Sequence, residues 1–402
     1  MSAKYGLPEQ VLFCRRCTIS NQRPNSCVEY AHTAASAKAT INFDSEGVCD
    51  ACRVAEAKSA INWEAREEEL RELCEEHRSP SGAYDCLVPG SGGKDSFLAA
   101  IKLRELGMRP LLVTWSPHIY TDIGWKNLQA WQGIADHYLH TPNRKAHALL
   151  TRLAVENLFH PFQPFIIGQK GFAPKLARQL DIGLVFYGED EAEYGNPRAN
   201  TNGAKRDASY HSRAQDMHLS GVPLAELHDR YGLSAADLAP YMPLAAEDAA
   251  DVDVRYLGYY LKWHPQGAFY AASEHGFSVA PERTPGTYSK YSSLDDCADD
   301  WHYLTTFYKF GIGRATYDTS QEIRSGDITR EEGVSLVQRF DGEWPARYEN
   351  EVNAYLSVHG FSPMTRGRWW ELIEQFKSPH LFDATNKLRH AVWMNTQSSG
   401  GV

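Results

Sequence analysis

The sequence predicts an α/β protein: a parallel sheet with helices on both faces, a small cysteine-rich module before it and a mainly helical region after it. Three observations carry the prediction. Apolar strand-like runs alternate with helical patterns from Tyr84 to about Glu193. A glycine loop sits between one such strand and its helix. Two C-x-x-C pairs stand ahead of them all. The chain divides accordingly into a module over 1–60, an α/β domain over 61–260 and a C-terminal region over 261–402.

The elements follow in order. Cys14 and Cys17 lie in FCRRCTIS, and Cys49 and Cys52 in GVCDACR, with residues 18–48 between the pairs. Four thiolates so arranged suit one tetrahedral zinc, and a closed four-sulfur set points to a structural role. The spacing is that of a ribbon with an inserted loop. Cys27, Cys74, Cys86 and Cys297 stand alone. Ile61–Gly82 reads as a charged helix, with Glu67 and Arg71 four apart, stopped by RSPSG. YDCLVP is a short buried strand and DSFLAAIKLRELG an amphipathic helix closed by Gly107. RPLLVTWSP is the next strand, and LDIGLVFYGEDEAE holds a later one. GVPLAELHDRYGLSAADLAPY reads as two short helices around Gly232; its acidity argues against a DNA-reading helix-turn-helix. GRWWELIEQF reads as a helix with core tryptophans, and NTQSSGGV as a disordered tail.

Composition bounds the class. A hydrophobic content of 43% is that of a packed globular chain, so disorder is excluded as the main state. No apolar run reaches a membrane span, and the first residues lack a signal-peptide core. A net charge of -10 argues against a broad nucleic-acid surface. The expectation is a cytoplasmic protein with reduced cysteines, no membrane partner and no nucleic-acid partner.

The glycine loop, VPGSGGKDSFLAA, decides the chemistry. A nucleotide loop of the G-x-x-x-x-G-K-[ST] type would need Gly at position 88 and Ser or Thr at 95; the chain has Val88 and Asp95. Strand, S-G-G-K-D-S, then helix still puts backbone N–H groups at a helix start, where phosphate oxygens bind. Gly92 and Gly93 permit close approach, Ser91 and Ser96 offer hydroxyls, and Lys94 offers a charge. Asp95 would repel phosphate unless it met a cation, so Mg²⁺ is expected there.

This loop resembles the pyrophosphate loop of the ATP pyrophosphatase superfamily, S-G-G-x-D-S. Together with YLGYYLKWHPQ, GTYSKYSSLDD, KFGIGRATYDTSQEIRSGDITREEG and the cysteine pairs, the chain resembles the N-acetyl sugar amidotransferases of O-antigen and flagellin-glycan synthesis. The resemblance implies a Rossmann-like domain that binds ATP. It also implies a reaction: an acetamido oxygen on a nucleotide-linked sugar or nonulosonic acid is adenylated, pyrophosphate leaves, and ammonia displaces AMP to give an acetamidino group. The stretch from about Thr201 to Asp253 is less familiar. No glutaminase nucleophile is visible: residue 2 is Ser, and no lone cysteine has a nucleophile-elbow setting. A partner must then supply ammonia, or free ammonium must suffice; the resemblance implies partners like a glutaminase subunit and a cyclase-like channel subunit.

Other residues complete the expected site. Glu189 and Asp190 follow the apolar run LVFYG, where carboxylates at a strand's C-terminal end face the ligand crevice; Asp190 is expected to bind substrate or Mg²⁺ with Asp95. Lys309 and Arg314, in KFGIGR, are expected to neutralise phosphate. Lys290 is a weaker candidate, and His264 weaker still. Glu332 is expected to close a capping box with Thr329. Two other classes remain open: a tRNA-thiolating enzyme, which would need cysteines near the loop and a basic face, and a nucleotide-binding module without catalysis.

Overall fold

The computed structural model describes residues 3–25, 30–189, 191–194, 203–212 and 217–394. Five strands form its main sheet: β1 (Cys86–Pro89), β2 (Pro110–Trp115), β3 (His137–His140), β4 (Leu184–Tyr187) and β5 (Asp253–Tyr256). All pair in parallel, in the order β3-β2-β1-β4-β5. The order reverses between β1 and β4. Connections leave these two strands toward opposite sides, and a crevice opens where they part.

Alternation along each strand feeds two cores. Leu87, Leu111, Val113, Val185 and Val254 point to one face. There they meet Leu150 and Leu153 of the helix Arg144–Leu158, and Phe172 and Leu176 of the helix Gln163–Gln179. Cys86, Val88, Leu112, Leu184 and Phe186 point to the other face, against Phe97, Ala99, Ala100 and Leu103. Those four belong to the helix that follows the glycine loop, Lys94–Glu105, which we call α1. The helix Pro265–Glu274, α2, also joins this second layer through Ala272, although it lies beyond residue 260.

Local chemistry follows the sequence closely. A helix spans Trp63–Glu76, and Arg71 Nη2 meets Glu67 Oε1 at 2.6 Å. Gly107 closes α1 at φ +73°, a conformation open to glycine. Short helices at Leu224–Asp229 and Ala235–Leu238 flank Gly232.

Beyond the sheet the described chain is helical: α3 (Asp299–Phe310), α4 (Arg314–Ser325), α5 (Arg330–Phe340), α6 (Glu349–Leu356) and α7 (Arg366–Phe376). Trp301 of α3 stacks on Trp369 of α7 at 4.3 Å, both fully buried. Trp370 instead remains 38% exposed and stacks on Trp344, so only one of the paired tryptophans is core. Thr329 and Glu332 form the expected capping box of α5. No helix of the described residues is long and apolar enough to cross a membrane.

The N-terminal module is two knuckles, marked by the bridges Phe13↔Ser20 and Phe43↔Cys49. It packs on α4, where Thr18 Oγ1 lies 2.8 Å from Thr319 Oγ1 and 2.9 Å from Ser320 Oγ.

Candidate active site

The glycine loop runs directly out of β1 at the switch point. Gly92 sits at φ +83°, and a Cβ there would lie 2.8 Å from the Leu128 backbone nitrogen. Gly90 is equally constrained, since its Cβ would lie 2.3 Å from that of Ser96. Backbone, not side chain, must therefore fill this turn at the start of α1, where helix N–H groups suit phosphate oxygens. A Gly92→Ala variant is expected to cost about 1–2 kcal/mol from the positive φ alone, and more from the clash. Urea denaturation should show that loss.

The loop's side chains divide their tasks. Lys94 Nζ donates to Asp95 Oδ2 at 2.6 Å, and Trp263 Nε1 donates to Asp95 Oδ1 at 2.8 Å. Ser96, read from sequence as a phosphate donor, turns inward: its hydroxyl donates to the Gly93 carbonyl at 2.8 Å and is buried. Ser91, Gly92, Gly93, Lys94 and Asp95 line a cavity of about 140 Å³, closed opposite by Tyr291, Ser292, Ser293 and Asp295. Burial, with the Asp299 charge behind it, pushes the Asp295 carboxyl up to about 6; a hydrogen bond with Ser91 works the other way.

A second, larger cavity of about 480 Å³ meets the first at Lys94, Asp95 and Arg314. Glu189, at the end of β4, opens into it and accepts a hydrogen bond from Tyr194. The two strand-end turns touch, since a Cβ on Gly188 would lie 2.6 Å from the Asp95 carbonyl. Glu189 is therefore brought to the loop. Asp190 lies outside the described residues.

Arg314 opens α4 from a turn that Asp341 holds, its carboxylate accepting from the Gly313 and Thr316 N–H groups at 3.1 Å each. Arg314 Nε meets Asp318 Oδ1 at 3.0 Å, and its Nη1 donates to the Tyr303 hydroxyl. Burial opposes the guanidinium's charge, but Asp318, Tyr303 and Asp299 outweigh it and push its pKa above the ordinary value. Lys309 borders the larger cavity but is buried, and its Nζ donates to the Leu158 carbonyl at 2.8 Å. That bond ties α3 to the end of a sheet-covering helix. Lys290 is exposed and donates to the Pro281 carbonyl; its neighbours Tyr291, Ser292 and Ser293 line the site instead. His264 caps α2, accepting from Gly267 N–H at 3.1 Å.

Sequence reading missed several lining residues. Trp263 lay within the stretch YLGYYLKWHPQ without being assigned a role, yet it holds Asp95. Arg23, Asn25 and Lys38 reach the larger cavity from the cysteine module. Their position depends on how the module packs, which no local pattern encodes.

The cysteines converge as expected. Cys14, Cys17, Cys49 and Cys52 are buried, and their sulfurs all lie within 4.8 Å of one another. Cys14 to Cys52 and Cys17 to Cys49 each measure 3.8 Å. A tetrahedral ion at a Zn–S distance of about 2.3 Å sets its sulfurs about 3.8 Å apart. Cys14 Sγ also accepts from the Arg16 and Cys49 N–H groups, which suits a thiolate ligand. The donor set fits zinc, with all four positions taken by protein.

Fold and loop together define the class: an α/β protein with a parallel five-stranded sheet, a glycine loop at its switch point, an N-terminal four-cysteine module and a helical C-terminal region. Residues 285–396 match the family described as LPS biosynthesis protein WbpG-like, C-terminal domain. That span contains both GTYSKYSSLDD and KFGIGRATYDTSQEIRSGDITREEG, and the resemblance drawn from sequence is borne out there. No curated protein matches the chain. One similar solved structure is described as a "predicted subunit of tRNA methyltransferase" from Methanocaldococcus jannaschii. It is 17% identical, covers 47% of this chain and 75% of its own, and has a TM-score of 0.23. Another is the NMN synthetase from Francisella tularensis, 13% identical over 66% of this chain and 94% of its own, with a TM-score of 0.27. Likeness at this level does not extend to function.

Proposed function

We propose that the protein is an AMP-forming amidotransferase. It adenylates an acetamido carbonyl oxygen on a nucleotide-linked sugar or nonulosonic acid and replaces AMP with ammonia, giving an acetamidino group. The observation that carries this reading is the meeting of two cavities at Lys94, Asp95 and Arg314. One is a phosphate-sized space over the S-G-G-K-D-S loop; the other is large enough for a sugar.

The chemistry needs such a junction. An amide carbonyl is a weak electrophile and its oxygen a poor leaving group. Attack of that oxygen on the α-phosphorus of ATP forms a C–O–P bond and expels pyrophosphate. The loop's N–H groups and Lys94 hold the departing charge, and Arg314 stands where both ligands would meet. Ammonia then adds to the activated carbon, loses a proton, and AMP departs. The fixed positions of loop and α4 supply alignment. Asp95 and Glu189 suit Mg²⁺, which favours one or two carboxylates plus substrate phosphates. When bound, that ion would neutralise charge on the phosphates. Ammonia comes from a separate glutaminase subunit, with a cyclase-like subunit as conduit.

The test is product analysis. Purified protein, ATP, ammonium and a panel of nucleotide-linked diacetamido sugars should yield AMP, pyrophosphate and a sugar in which NH replaces O. Glutamine should not replace ammonium unless a glutaminase is added. ADP formed in step with sugar turnover would sink the reading of the loop. Glutamate formed by the protein alone, with ammonium removed, would sink the reading of the nitrogen source.

A further inference from the structure

The loop inserted between the two cysteine pairs does more than span them. Its residues Arg23, Pro24, Asn25 and Lys38 form one wall of the larger cavity, opposite elements of the α/β and helical regions. Asn25 is 7% exposed, and neither its Oδ1 nor its Nδ2 has a hydrogen-bond partner among the described residues. Arg23 is 5% exposed, and its Nη1 has none. Buried donors and acceptors are rarely left unmet, because desolvation without a partner is costly. Three such atoms on two neighbouring side chains of one cavity wall mark a place where a ligand completes the bonding.

The backbone around them is fixed. Asn25 N–H donates to the Ala39 carbonyl at 2.8 Å, and Ile41 N–H donates to the Arg23 carbonyl at 3.0 Å. Pro24 bridges Thr40. Arg23 also lies over the ring of Tyr317 at 5.8 Å, and Tyr317 is three residues beyond Arg314 on α4. The unpaired guanidinium N–H thus belongs to the same end of the cavity as α4.

We propose that the cysteine module is a working wall of the substrate pocket, in which Arg23 takes an anionic oxygen and Asn25 a donor–acceptor pair of an N-acylated sugar. An acylamino sugar presents both kinds of group side by side: the acyl oxygen or N–H, and an adjacent ring hydroxyl. Asn25 offers one donor face and one acceptor face to match. Arg23 suits a carboxylate or a phosphate. A zinc held by Cys14, Cys17, Cys49 and Cys52 would then contribute indirectly, since the two cysteine pairs fix the ends of the loop that carries both residues. This inference deepens the proposed function and rests on its sugar substrate.

Calorimetric binding tests it, with three probes: N-acetylneuraminic acid, which carries a carboxylate; UDP-N-acetylglucosamine, which carries phosphates; and neutral N-acetylglucosamine. The wild-type protein should bind at least one anionic probe, and which one tells the source of the anion. Asn25→Leu should weaken that probe about tenfold or more, and Arg23→Met likewise. N-acetylglucosamine should be weakened by Asn25→Leu and left unchanged by Arg23→Met. Arg23→Lys should restore part of the loss. Zinc content equal to wild type in each variant reports a folded module. Wild-type affinity in both variants, or no binding of any probe to the wild-type protein, would overturn the inference. Binding with the expected variant losses, but no amidine from ATP and ammonium, would leave it standing and remove the amidotransferase reading instead.

Discussion

Asp95→Asn should cut AMP formation steeply while leaving the fold in place. The carboxylate sits at the first turn of α1, held by Lys94 on one oxygen and the Trp263 indole on the other. An amide keeps the shape and can still accept from Trp263. It removes the negative charge, and with it the anchor proposed for Mg²⁺ beside Glu189. A metal acting on phosphoryl oxygens contributes several kcal/mol, so the rate should fall by about a hundredfold to a thousandfold. Pyrophosphate release measured against Mg²⁺ concentration, with far-UV circular dichroism as the control, reads the effect. Wild-type turnover with unchanged Mg²⁺ dependence would remove Asp95 from the mechanism.

The second large effect concerns the cysteines. The wild-type chain should carry about one zinc, as a closed four-thiolate site requires. Cys49→Ser should lose it. Structural zinc contributes on the order of 10 kcal/mol to small modules, so the N-terminal module should unfold at moderate temperature. The damage should spread, because Ile312, Tyr317 and Ile323 pack with the cysteines and Thr18 bonds to α4. Since Arg314 begins that helix, substrate turnover should fall with the metal. Elemental analysis and thermal unfolding check this together; a metal-free protein of full stability would refute it.

Much of the fold was legible because its signals are local. Strand, glycine loop and helix between Tyr84 and Gly107 are set by neighbours in sequence, as are the Glu67–Arg71 pair and the Thr329–Glu332 box. The cysteine cluster was legible because paired spacing and thiolate chemistry leave few alternatives. Roles set by distant packing were not legible. Lys309 looked like a phosphate ligand in a glycine turn, but its ammonium bonds to the Leu158 carbonyl, 151 residues away. Ser96 looked like a donor, but in the first turn of α1 its hydroxyl reaches back to Gly93. Trp263 reaches Asp95 across 168 residues. Asn25 shows its meaning only once its amide is seen buried against the cavity.

The bonds between the first and last parts of the chain bear on how the molecule is made. Tyr5 donates to the Phe376 carbonyl at 2.6 Å, and Lys4 to the Gln375 carbonyl at 2.7 Å. Gln22 lies 3.0 Å from His380, and Thr18 reaches Thr319. On a ribosome these early residues emerge long before their partners. At about 5–20 residues per second the wait is on the order of tens of seconds. During that interval the cysteine knuckles stand alone, with Cys14, Cys17 and the apolar surface that α4 will later cover still open. Capturing the metal early would shield the thiols from oxidation and keep this surface in one shape until its late partner arrives. A nascent chain starved of zinc should therefore misassemble during synthesis.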